Sequence, residues 1–394
     1  VNFSIVVTVR PTLTASLANP ATICSGAAVA AVSPTSNITG TTYTWTLGAI
    51  TGGVTGAAAQ ATAQAQFSTG NLSNAGAVNG TVTYNITATN AATCNTVNFS
   101  IVVTVRPTLT ARLANPATIC SGAAVAAVSP TRNIAGTTYT WTLGAITGGV
   151  TGAAAQATAQ AQFSTGNLSN AGAVYGTVTY KITATNAATC NTVNFSIVVT
   201  VRPTLTASLA NPATICSGAA VAAVSPTSNI AGTTYTWTLG AITGGVTGAA
   251  AQATAQAQFS TGNLSNAGAV DGTVTYNITA TNAATCNTVN FSIVVTVRPT
   301  LTASLANPAT ICSGAAVAAV SPTSNIAGTT YTWTLGAITG GVTGAAAQAT
   351  AQAQFSTGNL SNAGAVDGTV TYNITATNAA TCNTVNFSIV VTVR

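Results

Sequence analysis

The stretch VNFSIVVTVR at Val97–Arg106 places Phe99, Ile101, Val103 and Val105 on one side of an extended chain and Asn98, Ser100, Val102 and Thr104 on the other. Such period-two alternation in a Val- and Ile-rich run is that of a half-buried β-strand. The same ten residues begin at Val1, Val193, Val289 and Val385, and successive starts differ by one interval: 97 − 1 = 96, 193 − 97 = 96, 289 − 193 = 96, 385 − 289 = 96. Recurrence at a fixed period makes the chain a tandem array. Complete repeats fall at 11–106, 107–202, 203–298 and 299–394, and residues 1–10 read as the last strand of a preceding repeat. The sequence thus reads as an excerpt of a longer array, without a start, a leader or a sorting tail of its own.

The repeats differ at only five positions: Ser16/Arg112/Ser208/Ser304, Ser36/Arg132/Ser228/Ser324, Thr39/Ala135/Ala231/Ala327, Asn79/Tyr175/Asp271/Asp367 and Asn85/Lys181/Asn277/Asn373. Whatever one repeat does, all four do. That suits a task set by length or copy number better than one needing a unique site.

Composition narrows the class. Hydrophobic residues make up 47%, enough for cores, and ~96 residues is the size of one sandwich domain. Charged residues make up only 3%, against about 25% in ordinary soluble domains. The longest apolar run, AAVAAV, is too short to cross a membrane. The surface must consist of Thr, Ser, Asn and Gln, which repel other chains little; it reads either as the inert, protease-resistant coat of a stalk or as a surface built to lie against copies of itself in a bundle or filament, and lateral association is the expectation to be tested. The net charge of +6 comes largely from the Arg that ends each VTVR. One cation per domain makes no phosphate-binding patch, and nucleic acid is not an expected partner.

Further strands follow from alternation. Tyr43, Trp45 and Leu47 share one face of TTYTWTLG, and Val82, Tyr84, Ile86 and Ala88 share one face of GTVTYNITATN. TLTASL (12–17), AAVAAV (27–32) and the Gln- and Ala-rich stretch ending at Phe67 are also expected as strands. The expected fold is all-β, a tandem array of β-sandwich domains.

The ordered set ATICSG, YTWT, ITG, a Gln-containing strand, GTVTYNITATN with a following Cys, and a final VTVRP resembles the PKD-like, immunoglobulin-like repeats of large secreted surface proteins of gliding bacteria. The resemblance covers every repeat. It implies an extracellular, cell-surface array serving as an adhesin stalk or appendage. It also implies that Trp45, Trp141, Trp237 and Trp333 are core residues of one strand, and Tyr84, Tyr180, Tyr276 and Tyr372 core residues of another. Calcium between domains is not expected, because Asp271 and Asp367 stand alone in their repeats and hard cations need several oxygen ligands. No cofactor or metal is expected.

Two cysteines recur per repeat: Cys24 and Cys94, Cys120 and Cys190, Cys216 and Cys286, Cys312 and Cys382. In a chain without His, this regularity points to disulfides in an oxidising compartment. Pairing within a repeat, as Cys24 with Cys94, would use all eight and stabilise by about 4 kcal/mol in the chain-entropy model; it is the preferred connectivity. An ordinary seven-strand Greek key would instead separate those two and turn Cys24 towards Cys190 of the next repeat, so stapling between neighbours stays open.

With no His, one Lys and two isolated Asp, the chain lacks a general acid–base pair, an activated nucleophile and a metal set, and no enzyme is expected. The rival reading is a repeated carbohydrate-binding module, with Asn- and Thr-rich loops and an aromatic such as Tyr175 holding sugars. Glycans could also be met by domains outside the excerpt. VTVR passes into PTLTA through a stiff Pro without a Gly/Ser linker, so adjacent repeats of the chain are expected to be closely joined. At ~3.3 Å per residue each domain would add roughly 40 Å, giving a rod on the order of 160 Å.

Overall fold

The computed structural model describes residues 2–394, which divide into two units, one ending at Thr204 and the other running Leu205–Arg394. Among the described residues all regular structure is strand. Each unit contains two hydrophobic cores: Leu13 to Val105 and Leu109 to Val201 in the first, Leu205 to Val297 and Leu301 to Val393 in the second. Each core is therefore built from one 96-residue period.

The first repeat contains β1 (Ala15–Ser16), β2 (Ile23–Cys24), β3 (Thr35–Ser36), β4 (Thr42–Thr51), β5 (Val54–Thr55), β6 (Gln60–Gln64), β7 (Ser73–Asn74), β8 (Gly80–Thr89) and β9 (Val97–Arg106). One layer is a five-stranded sheet in the order β2-β9-β8-β4-β6. Its long central strands pair antiparallel, with Trp45 opposite Ile86 and Tyr84 opposite Ile101. The facing layer is built of short pieces: β1 with β3, β5 with β7, and single bridges Ala27 to Leu72 and Val32 to Phe67. The alternating apolar residues of β4, β8 and β9 face Leu13, Val29, Phe67 and Leu72 across the core.

Aromatic rings hold the layers together. Phe67 stands between Trp45 and Tyr84, with ring centroids at 4.9 and 5.2 Å in tilted and edge-on geometry, the arrangements that ring quadrupoles favour. Trp45 is 5% exposed and Tyr84 fully buried; Trp141, Trp237, Trp333, Tyr180, Tyr276 and Tyr372 are buried in the same way. Burial raises the Tyr84 phenol above its ordinary pKa, and its hydroxyl has no protein partner. Gly52 (φ +63) turns β4 towards β5 where a Cβ would lie 2.6 Å from the Gly80 Cα, so this turn admits no side chain.

Two strand expectations need correction. TLTASL keeps only Ala15–Ser16 as strand, because the Asn37 and Asn95 side chains take the backbone groups of residues 12–14 that a ladder would use. AAVAAV forms no continuous strand: Ala27 and Val32 bridge to Leu72 and Phe67, while between them the Val29 N–H donates to the Thr69 Oγ1 and interrupts the ladder. Residues 2–10 have the sequence of β9 but form no strand, and Phe3, Ile5, Val6, Val7 and Val9 are exposed.

Candidate functional site at the joint between repeats

The chemistry-bearing residues gather where one repeat passes into the next. β2 lies parallel to the end of β9, with Ile23 opposite Val105 and Cys24 opposite Arg106. The ATICSG cysteine is thereby held at the end of the domain from which the chain leaves. Cys94 lies in the loop between β8 and β9, at the start of β9 and so at the opposite end of that strand. Pairing within a repeat is thus overturned: Cys24 is bonded to Cys190, with Cα atoms 5.8 Å apart, and Cys216 to Cys382, also at 5.8 Å. Both bridges span 166 residues. Cys120 and Cys286 are disulfide-bonded as well, whereas Cys94 and Cys312 are free, exposed thiols. Disulfides persist where the surroundings are oxidising.

Hydrogen bonds fix the joint beside the bridge. The Arg106 carbonyl accepts from the Ser25 N–H at 3.1 Å, and the Thr108 N–H, already in the second repeat, donates to the Asn74 carbonyl at 3.0 Å. The Arg106 guanidinium reaches the Ala187 carbonyl at 3.5 Å, three residues before Cys190. Asn74 is fully buried and uses its whole side chain: Nδ2 donates to Val78 O and Val105 O, and Oδ1 accepts from the Gly76 N–H, each at 2.9 Å. A buried amide so satisfied ties the loop before β8 to the end of β9.

In the second repeat, Asn191 grips the incoming chain. Its Oδ1 accepts from the Leu109 N–H at 2.8 Å and its Nδ2 donates to Leu109 O at 3.0 Å. The Cys190 loop is itself ordered by Asn186 and Thr189, whose side chains bond backbone groups on either side of them. The second unit repeats the design. Cys216 lies opposite Arg298, the Ser217 N–H donates to Arg298 O at 3.1 Å, and the Thr300 N–H donates to Asn266 O at 3.1 Å.

Sequence reasoning did not single out Asn74. A signal was present in Asn74-Ala75-Gly76, since an Asn two residues before Gly favours a turn closed by its own side chain. Tyr175, the aromatic considered for sugars, is 46% exposed, but the Arg202 guanidinium lies over its ring at 5.9 Å and covers one face. Among the described residues no group of three His, Cys, Asp or Glu could hold a metal, and no helix is long and apolar enough to cross a membrane.

Serial β-sandwiches joined end to start without a linker define the class: tandem immunoglobulin-like domains. A PKD-like domain model matches residues 21–109, 117–205, 213–301 and 309–394, and the chain belongs to that family. None of the curated proteins compared with it matches. Similar solved structures include an I-band fragment from titin (12% identity, 72% of this chain and 96% of that chain, TM-score 0.35). Others are human CDH23 EC21-23 (13%, 70% and 96%, 0.36) and Drosophila N-cadherin EC1-4 (9%, 96% and 98%, 0.29). At TM-scores this low, these likenesses carry no argument about function.

Proposed function

We propose that this chain is a non-catalytic, tension-carrying shaft of an extracellular, cell-surface adhesin or appendage, its repeats bounded at 11–106, 107–202, 203–298 and 299–394. The observation that supports this reading is the Cys24–Cys190 bridge, which links two separately cored domains across a joint already closed by the Thr108 and Arg106 hydrogen bonds. A bridge at that place adds nothing to the packing of either core and makes the chain hard to pull apart. The near-identity of the repeats fits a part whose useful property is length. Small-angle scattering of the chain tests it. A cross-section of one domain and a maximum dimension near the ~160 Å that four extended modules require is expected; a compact profile rejects the shaft.

Lateral association of parallel copies belongs to the same reading. The edge strand β6, QATAQ, carries no charge, and uncharged edges lack the usual guard against pairing with other chains. Sedimentation across a salt series is expected to show association at high protein concentration that salt hardly weakens, because few ion pairs are available to screen. A monomer throughout removes bundling, and dissociation by modest salt removes the uncharged mechanism.

A further inference from the structure

The second repeat departs from its neighbours in charge. Arg112, Arg132, Lys181 and Arg202 all fall within 107–202, which holds no acidic residue, whereas 203–298 and 299–394 each set one Arg against one Asp. Arg112 and Arg132 stand where the other three repeats have Ser, at Ser16/Ser208/Ser304 and Ser36/Ser228/Ser324. The fold brings these two positions together. Ala111–Arg112 pairs antiparallel with Thr131–Arg132, with Ala111 opposite Arg132 and Arg112 opposite Thr131. Both arginines line one concavity of about 340 Å³, completed by Thr110, Ala111, Thr131 and Asn133. The first repeat has a concavity of the same volume at the same place, with Ser16 and Ser36 where the arginines stand.

Both guanidinium groups are unengaged. Arg106 reaches the Ala187 carbonyl and Arg202 lies over the Tyr175 ring, but Arg112 and Arg132 are exposed, and among the described residues neither side chain has a hydrogen bond or an ion pair. The two carboxylates of the chain, Asp271 and Asp367, belong to other repeats. Arg132 also carries a cost. In the first repeat the Ser36 hydroxyl donates to Ile38 O at 3.2 Å and shares a hydrogen bond with Thr41 Oγ1 at 2.8 Å, and the Tyr43 hydroxyl donates to Pro34 O at 3.4 Å. The third and fourth repeats keep these bonds through Ser228 and Ser324. Arg132 makes none of them, and the Tyr139 hydroxyl is left buried without a protein partner. A buried polar group left so is destabilising, and natural sequences break such local rules chiefly at functional sites.

We propose that the concavity at Arg112 and Arg132 is a binding site for an acidic polysaccharide, held through its carboxylate or sulfate groups. A guanidinium presents a planar fork of donors that meets an oxyanion with two hydrogen bonds at once, and here two such forks stand beside one concavity with no carboxylate of the chain to compete. The Thr110 and Thr131 hydroxyls in its lining can each donate and accept, as the hydroxyls of a sugar require. Two cations at one spot suit a polymer whose anionic groups are set apart by sugar rings. A nucleic acid, with a phosphate at every step, calls for a longer cationic run than this repeat offers. The choice of a polysaccharide rests on the extracellular placement in the shaft reading, whereas the anion-binding geometry stands without it.

The test measures binding of the full chain, by surface plasmon resonance at low salt, to polygalacturonate, dextran sulfate, neutral dextran and duplex DNA. The wild-type chain is expected to bind both acidic polysaccharides, to ignore neutral dextran, and to lose affinity as salt rises, because the site is exposed. Arg112→Ser/Arg132→Ser should weaken that binding by about tenfold or more, as the loss of charge-assisted hydrogen bonds does. Lys181→Asn removes one charge from the five-stranded sheet of the same repeat, away from the Arg112 and Arg132 ribbon, and should leave the affinity unchanged. Absence of wild-type binding to either acidic polysaccharide overturns the proposal. Equal weakening by Arg112→Ser/Arg132→Ser and Lys181→Asn overturns it as diffuse attraction by the charge of the repeat, and tighter binding to DNA than to the polysaccharides overturns the choice of ligand. Because the double variant carries the Ser residues of the other three repeats at both positions, it should fold as they do, which circular dichroism checks. Small-angle scattering of the same variant reports on the shaft separately, so a rod that fails to bind rejects this inference alone.

Discussion

Pulled from its two ends under oxidising conditions, the chain is expected to reach a contour of only about 220 Å, whereas the fully reduced chain should reach about 1,300 Å at ~3.4 Å per residue. The difference follows from the covalent path. Each of the bridges Cys24–Cys190 and Cys216–Cys382 has a sequence separation of 166 and so shunts the 165 residues between its cysteines; of 394 residues the shortest path keeps 394 − 2 × 165 = 64. A bridge confined to one repeat would also limit extension, but it would leave every joint to be held by hydrogen bonds alone. Single-molecule force spectroscopy with and without reductant reads the effect directly. Equal final lengths in the two conditions would show that the bridges do not carry tension, and the proposed shaft would lose its main support.

The same bridge acts at equilibrium. If the first repeat unfolds while the second stays folded, Cys24 remains tethered to the next domain through a loop of most of one repeat. In the chain-entropy model such closure is worth about 4 to 5 kcal/mol. The Cys24→Ser/Cys190→Ser variant should therefore lose stability chiefly in the first repeat.

How much of this was legible in the sequence depended on the range of the interactions. β4, β8 and β9 announce themselves because their alternation is written into consecutive residues, and the buried faces of Tyr43–Trp45, Val82–Ala88 and Ile101–Val105 follow from it. β2 does not announce itself. Two residues, Ile23–Cys24, carry no period, and their place beside Val105–Arg106 is a parallel pairing between segments some eighty residues apart. The disulfide connectivity hangs on that pairing, which is why two arrangements stayed open until Cys24 was located at the outgoing end of the domain. Asn74 was missed for a related reason. Its side chain looks like one more polar loop residue until the carbonyls of Val78 and Val105 are seen to converge on it. The divided facing layer has a cause of the same long range, since Thr69, Asn37 and Asn95, which lie 40, 23 and 82 residues from the backbone groups they bond, use side-chain atoms where a ladder would use backbone.

Replacing Trp45 by Ala is expected to cost the first repeat about 3 to 5 kcal/mol, the usual range for emptying a large aromatic site from a core. The indole packs on Phe67, which packs in turn on Tyr84, so its loss removes one end of the stack that joins the two layers. Partial collapse would bring little recovery, because the Tyr84 hydroxyl beyond Phe67 is buried without a protein partner. The cores are separate, and the damage should stay in one repeat. Calorimetry or denaturant titration should show an early transition carrying about a quarter of the unfolding signal, with the remaining repeats melting as in the wild type, as nearest-neighbour arrays do. An unchanged single transition would mean that Trp45 contributes little to the core. Loss of all four repeats together would mean that the joints couple the domains far more strongly than a disulfide and a few hydrogen bonds allow. Under tension the expected outcome has a further consequence. Most of a first repeat whose core has failed, everything after Cys24, lies inside the segment that Cys24–Cys190 shunts, so those unfolded residues bear no force and the shaft lengthens only by the short stretch up to Cys24 until the bridge itself is reduced.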